Sequence, residues 1–337
     1  MTHLGKVVHV HDSSEVSAAR RATLQCAASS RLSETASGKA ALVATELATN
    51  LVKHGGGGSI LIGTDPQREG CITLVSIDKG RGIGNVATAL RDGYSTAGSP
   101  GTGLGAIQRA TGVFDLYAFP DRGTAILARI DEEAQRRPAV EKSVPITAGG
   151  VCIPVGTEEY SGDAWTAIES HDGITIGVAD GLGHGIAASD ASSAAVRSFS
   201  EPGERPLERM LQDAHGSLRS TRGAAVGLAR IDHAHGRLEF AGVGNIAGTI
   251  VSEEGTARRV VSLNGIVGHE MRKVQSFSYP WTPASVLILQ SDGISSSWNA
   301  ANYPGLLQHH PALIAAVIYR DHCRGNDDAT VVVAKAS

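Results

Sequence analysis

Two blocks of acids set beside glycines, one in each half of the chain, constrain the fold more than any other feature, because each asks for a different phosphate chemistry. In the first half, Glu46 and Asn50 precede Asp78-Lys79-Gly80-Arg81-Gly82-Ile83-Gly84 and Gly101-Thr102-Gly103-Leu104-Gly105. That order reads as a nucleotide site. In the second half, Asp163, Asp180, Asp292, Asp327 and Asp328 fall where apolar runs meet turns, which reads as a metal site. A chain of 337 residues exceeds what one core prefers, and its 42% hydrophobic content suffices for two.

The first half alternates strands and helices. Lys6–Val10, 59–64, 71–78, 113–118 and 124–130 are rich in β-formers, and helices are expected from Ser13 or Ser14 (as cap) through Ala27, over the segment carrying Glu46 and Asn50, and near 104–110. The expected architecture is helices on one mixed sheet. Asp131–Val140 is charged, lacks an apolar period and contains Pro138, so a linker is placed at 131–142 between domains at 1–130 and 143–337. Beyond it strands dominate (174–179, 224–231, 238–243, 286–290, 330–334), with helices at 186–199, 207–218 and 311–321.

Glu46 and Asn50 are four apart and share a helical face, with His54 one turn further along the same row. An amide oxygen can ligate magnesium, and a carboxylate beside it can orient or deprotonate a hydroxyl. Asp78 ends an apolar strand, where it can accept a hydrogen bond from an exocyclic amine such as adenine's. Gly80, Gly82 and Gly84 let backbone approach the ring, and Gly101, Gly103 and Gly105 open a helix whose N–H groups suit phosphate.

Taken together these blocks resemble the GHKL (Bergerat-fold) ATP-binding domains, and within them the RsbT-like anti-sigma and switch serine kinases. The resemblance implies ATP and Mg2+ as cofactors, Asn50 as the magnesium ligand, Glu46 as the base, Asp78 to Gly84 as the adenine box, and Asp92–Thr96 with Gly101, Thr102, Gly103, Leu104 and Gly105 as the ATP lid. Arg81 stands where the family commonly has Pro. A P-loop is excluded because its Gly-Lys-Ser/Thr signature is missing, and the lack of a dimerisation helix with a phosphoacceptor His points toward a Ser/Thr protein kinase rather than a histidine kinase.

In the second half, gathered carboxylates repel one another unless cations neutralise them or protons are taken up. Aspartate oxygens select Mn2+ or Mg2+, and a water between two such ions becomes a nucleophile for in-line attack on a phosphoester. Any single Asp-Gly is also a common turn pair. Asp180-Gly181-Leu182-Gly183-His184-Gly185, Ser161-Gly162-Asp163, Ser291-Asp292-Gly293 and Asp327-Asp328-Ala329-Thr330 resemble the PPM-type metal-dependent phosphatases, in their SpoIIE-like and RsbX-like branch. The resemblance implies a catalytic Asp180 bridging two metals, Gly181 assisting through its carbonyl and a water, Asp163 on the second metal, and Asp292 and Asp327 on the first. Asp328 stands where Asn is frequent, and Gly242-Val243-Gly244-Asn245 is read as structural. No lysine or arginine occurs from Ser143 to Val196, where eukaryotic members carry a phosphate-gripping arginine, so backbone N–H groups, metal-bound water and His184 are left to that work.

The expected fold class is therefore α+β, a Bergerat α/β sandwich followed by a PPM-type β-sandwich flanked by helices. The expected function is a bifunctional partner-switching regulator, an ATP-dependent protein Ser/Thr kinase joined to a Mn/Mg-dependent phosphoprotein phosphatase, with STAS-domain phosphoproteins as substrates. The alternative is a phosphatase governed by an ATP-binding module that transfers no phosphate. A net charge of −4 without a basic run argues against nucleic acid, and the lack of a long apolar segment argues against a membrane and for a cytoplasmic protein. Four scattered cysteines suit a reducing compartment, and the oligomeric state, a homo-oligomer included, stays open.

Overall fold

The computed structural model describes residues 1–65, 68–90, 103–132, 146–200 and 205–336. In chain order the elements are β1 (Thr2–Val10), α1 (Val16–Ser29), α2 (Glu34–Asn50), β2 (Gly58–Asp65), β3 (Arg68–Ile77), α3 (Val86–Ala89), α4 (Gly103–Ala110), β4 (Val113–Ala118) and β5 (Thr124–Asp131). There follow β6 (Ile146–Ile153), β7 (Asp163–Glu169), β8 (Gly173–Gly181), α5 (Ile186–Phe199), α6 (Leu207–Ser217), β9 (Ala224–Asp232), β10 (Arg237–Val243), β11 (Ala247–Val251) and β12 (Ala257–Arg259). The last are β13 (Phe277–Pro280), β14 (Val286–Gln290), α7 (Pro311–His322) and β15 (Ala329–Ala336). Of the expected linker at 131–142, Asp131 ends β5 and residues 133–142 lie outside the described residues.

The chain divides into two compact units, Met1–Val140 with Gln308–Arg320, and Glu141–Leu307 with Asp321–Ser337. In the first, strands run in the order β1-β2-β3-β5-β4 and every pairing is antiparallel, so the expected mixed sheet is corrected to an antiparallel one. A short connection joins β2 to β3, and the chain returns from β1 to β2 through the helix pair α1 and α2, so neighbouring strands run antiparallel. Its core joins Ala40, Ala44 and Leu47 of α2, and Leu51 just after it, to Ile60 and Ile62 of β2 and Ile72 and Leu74 of β3. These α2 positions recur at three- and four-residue spacing, which puts one stripe against the sheet and leaves Glu46 and Asn50 half-buried on its flank.

The start of α1 differs from expectation. Glu15, not Ser13 or Ser14, occupies the N-cap without a side-chain bond, because Ser14 is engaged by Asp12 through its N–H (2.8 Å) and hydroxyl (2.6 Å). The second helix is capped in the ordinary way, Ser33 accepting the N–H of Ala36 at 3.2 Å. The helical segment within 308–320 is also tied into this unit. Asp115 of β4 accepts the N–H of His310 at 2.7 Å and bonds His309 Nδ1 at 2.7 Å, and Arg320 donates to the main-chain carbonyl of Asp78 at 2.8 Å.

The second unit carries strands in the order β12-β11-β14-β15-β6 and a second sheet β13-β10-β9-β8-β7. Helices α5 and α6 cover the latter, burying Phe199, Leu207, Leu211 and Leu218 against Ala179, Val226, Leu228 and Val243. Gly177 leaves the space that the Phe199 ring fills, since a Cβ there would lie 2.6 Å from it. No described helix is long and apolar enough to cross a membrane.

Candidate functional site

In the first unit α2 runs into a π-helical turn, Leu51–Gly55, closed by left-handed Gly56 (φ 68°). A π turn shifts the helical row by an extra residue, and such turns concentrate at functional positions. His54 lies within this turn, is exposed, and favours the ionised form of Asp78. Gly103, the first residue of α4, stands over the pair: a Cβ on it would lie 3.4 Å from Glu46 Oε2 and 3.7 Å from Asn50 Oδ1. Three residues separated in sequence thus converge where a carboxylate, an amide and a helix N-terminus meet.

Asp78 follows β3. Its Oδ1 accepts the N–H groups of Gly80 (2.8 Å) and Thr124 (3.1 Å), and among the described residues its Oδ2 has no partner. Burial pushes its carboxyl up, opposed by those two N–H bonds and by the charges of Arg320 and His54. Gly55 and Gly123 permit this crowding; a Cβ on Gly55 would lie 2.9 Å from Asp78 Cβ, and one on Gly123 only 1.9 Å from the Asp78 carbonyl. A Cβ on Gly80 would lie 2.9 Å from Gly55 O and one on Gly82 2.2 Å from Phe119 O, whereas Gly84 faces open space. Leu104 is partly buried against the core and Gly105 is buried. Gly101, Thr102 and Asp92–Thr96 lie outside the described residues.

In the second unit the antiparallel register sets Asp163 of β7 directly opposite Asp180 of β8. Asp292 and Asp327 arrive from the segments after β14 and before β15, which are themselves paired, and the 292–293 turn passes so close to 328 that a Cβ on Gly293 would lie 2.0 Å from Asp328 O. Asp180, Asp292 and Asp327 line one cavity of about 480 Å³ with Gly183, Asn245 and Asn264. Gly181, next to Asp180, is buried and donates its N–H to Gly162 O at 2.9 Å.

The five aspartates are not equivalent. Asp163 is buried and accepts the Ser291 hydroxyl at 2.6 Å, while Ser291 Oγ in turn accepts the Thr330 N–H at 3.0 Å. Asp328 spends both oxygens on main chain, accepting Val155 N–H and Gly162 N–H at 2.8 Å each, so it fixes the 155–162 loop from behind the cavity. Asp327 accepts the Asp328 N–H at 2.9 Å.

Burial, then repulsion from Asp163, Asp292, Asp327 and Asp328, drives the Asp180 carboxyl up to about 8; burial and the charges of Asp328 and Asp327 hold Asp163 up as well. Among the described residues no three such side chains are already drawn together around one point. The donor set nevertheless fits hard divalent cations: oxygen only, strongly acidic, and with no lysine or arginine on the cavity wall.

Several participants escaped the sequence reading. Asn245, read there as structural, donates Nδ2 to Asp292 Oδ2 at 2.7 Å. Ser291 anchors Asp163, and Glu158 bonds His184 Nδ1 at 3.1 Å, tethering the imidazole away from free rotation. Only the Gly-Asn turn at 244–245 and the Ser beside Asp292 carried a local hint; the pairings are long-range.

Comparison with known proteins agrees with this division. The family described as histidine kinase-like ATPase domain matches residues 10–130, and the family described as Stage II sporulation protein E (SpoIIE) matches residues 170–337. The chain joins a histidine kinase-like ATPase domain to a SpoIIE-type PPM phosphatase domain. It is 34% identical over 86 residues to the serine/threonine-protein kinase RsbT of Bacillus subtilis (strain 168), covering 25% of this chain and 64% of RsbT, so it spans less than two thirds of that relative. Over 134 residues it is 21% identical to the phosphoserine phosphatase RsbX of the same organism, covering 40% of this chain and 67% of RsbX.

A solved structure from work on the bacterial stressosome superposes with a TM-score of 0.52 at 28% identity, covering 56% of this chain and 99% of its own. A crystal structure of RsbX in complex with magnesium shares the fold with a TM-score of 0.50 at 18% identity, covering 57% and 96% of the two chains. The fold is α+β throughout, as the sequence predicts.

Proposed function

We propose that the chain performs two opposed reactions on one class of protein substrate, phosphorylating a serine or threonine with its first unit and removing phosphate from one with its second. The observation that carries the reading is the convergence of Asp180, Asp292 and Asp327 on one cavity whose lining holds no lysine or arginine, together with a first unit in which Glu46, Asn50 and Gly103 come together. The relatives' names, a serine/threonine-protein kinase and a phosphoserine phosphatase, point the same way.

In the first unit Asn50 offers its amide oxygen to the magnesium that accompanies ATP, and Glu46, one turn earlier, is placed to accept the proton of a substrate hydroxyl. The unpartnered Oδ2 of Asp78 accepts the exocyclic amine of adenine, while Oδ1, held by two N–H groups, keeps the carboxylate in place. The N-terminus of α4 presents N–H groups to phosphate.

In the second unit Asp180, Asp292 and Asp327 would hold two divalent cations, Mn2+ or Mg2+, with Asp163 and Gly181 behind them. Such cations supply Lewis acidity and a water activated for attack on phosphorus. Asn245 keeps Asp292 turned toward the cavity, Ser291 fixes Asp163, and Asp328 holds the loop carrying Gly162. A STAS-domain protein is the proposed substrate, and opposed activities in one chain imply either two phosphosites or alternating control.

Incubation of the Asp180→Ala protein with ATP, Mg2+ and a STAS-domain protein, followed by mass-spectrometric site mapping, tests the kinase half. Phosphate on a serine or threonine is expected, and it should vanish with Glu46→Gln while ATP binding persists. No transfer by Asp180→Ala would leave the first unit as an ATP-binding module only.

A further inference from the structure

The acidic cavity leaves a charge problem for any phosphate that enters it. A phosphomonoester dianion meets Asp180, Asp292 and Asp327, and none of the eleven residues lining the cavity is a lysine or arginine. Residues 143–196, which supply Asp163, Asp180 and His184, contain no such residue either. Two divalent cations offset the carboxylates, but little positive charge then remains for the incoming group.

A cation does stand at the edge, delivered from another part of the unit. Gly183 lines the cavity, and a Cβ on Gly183 would lie 3.2 Å from Arg222 Nη1. The guanidinium therefore rests against the loop that follows Asp180. Arg222 is exposed, and among the described residues it has no hydrogen-bond or ion-pair partner.

Its backbone, by contrast, is pinned on both sides. Thr221 Oγ1 donates to Leu218 O at 2.8 Å and accepts the Gly223 N–H at 3.0 Å, and His269 Nε2 bonds Thr221 O at 3.1 Å. Leu182 donates its N–H to Gly223 O at 3.1 Å, which locks this segment to the Asp180 loop. A fixed backbone carrying an unspent guanidinium at the rim of an anionic cavity is a presented donor. An exposed arginine that served only solubility would have no need of this anchorage.

We propose that Arg222 is the phosphate-binding residue of the second unit, taking two oxygens of the substrate's phosphomonoester in a bidentate grip while Asp180, Asp292 and Asp327 act from the opposite side. The inference rests on the phosphatase reading and adds to it the group that recognises the dianion. Planar guanidinium geometry matches two phosphate oxygens at once, which an ammonium cannot do. Arg222→Lys is accordingly a partial replacement and Arg222→Gln a full loss.

The test uses the full-length protein with Mn2+ and two readouts. Calorimetry measures binding of inorganic phosphate, and steady-state hydrolysis of p-nitrophenyl phosphate gives KM and kcat. Arg222→Gln should weaken phosphate binding and raise KM by about tenfold, with kcat changed far less, Arg222→Lys falling between, and Mn2+ binding unaltered. An unchanged thermal midpoint shows that the variant is folded.

Equal phosphate affinity in wild type and Arg222→Gln, or phosphate bound by neither, overturns the proposal. Arg222-dependent phosphate binding without any hydrolysis by the wild type supports the assigned contact and defeats the phosphatase reading alone.

Discussion

The two sites handle negative charge in opposite ways. Around Asp78 one carboxylate is surrounded by donors: Gly80 and Thr124 supply N–H groups, and the Arg320 guanidinium adds positive charge nearby. Around Asp180 the neighbours are other carboxylates, and the group is pushed toward its protonated form. A site of the first kind is preorganised and selects a ligand by shape and hydrogen bonding. A site of the second kind is incomplete by itself, and selects whatever neutralises it.

The sharpest way to break this contrast is to remove one cation-binding side chain from each site. Asp292→Asn should lower Mn2+-dependent hydrolysis of p-nitrophenyl phosphate by a factor of ~10³ or more, with ATP binding untouched. Asn50→Ala should do the converse, abolishing Mg-ATP binding measured by calorimetry while hydrolysis stays near wild type. If either change disabled both activities, the sites could not be treated as separate chemistries.

A smaller effect is expected where one side chain positions another. Asn245→Ala frees Asp292 from the 2.7 Å bond donated by Nδ2 and should weaken Mn2+ affinity by roughly 10-fold. Titration calorimetry with Mn2+ checks this, and unaltered affinity would reduce Asn245 to a turn residue.

The pH response also separates the sites. Because the Asp163 and Asp180 carboxyls lie above their unfolded values, the metal-free fold binds more protons there than the unfolded chain does. Their contribution to stability is full in acid and is lost as pH rises through about 8. Thermal midpoints of the metal-free protein should therefore fall from pH 6 to pH 9 relative to Asp180→Asn, and Mn2+ should reverse the trend by binding the folded state. A parallel pH dependence in the two proteins would show that the carboxylates are not in conflict. The smallest effect is structural: Asp115→Ala removes the acceptor for His309 and the His310 N–H and should cost ~1 kcal/mol in chemical denaturation.

Local pattern made most of the framework legible. The run 186–199 reads as a helix from its spacing and is one, and Val113–Ala118 and Val286–Gln290 are strands to the residue. Strand β6, Ile-Thr-Ala-Gly-Gly-Val-Cys-Ile, was hidden by its paired glycines, and β7 by the turn-like Ser-Gly-Asp that opens it. The acids themselves were visible because Asp beside Gly at a strand end is a local signal. Their division of labour was not, since Asp328 differs from Asp327 only through N–H groups of Val155 and Gly162, more than 150 residues away in sequence. The π turn after Asn50 likewise has no sequence period of its own.

The central claim is that the second unit's carboxylates exist to hold a pair of divalent cations. Diffraction from crystals soaked in Mn2+, recorded at the manganese absorption edge, measures this directly. Two anomalous peaks within reach of Asp180, one of them shared with Asp292 and Asp327, are expected; a cavity with no peak at saturating Mn2+ would contradict the account.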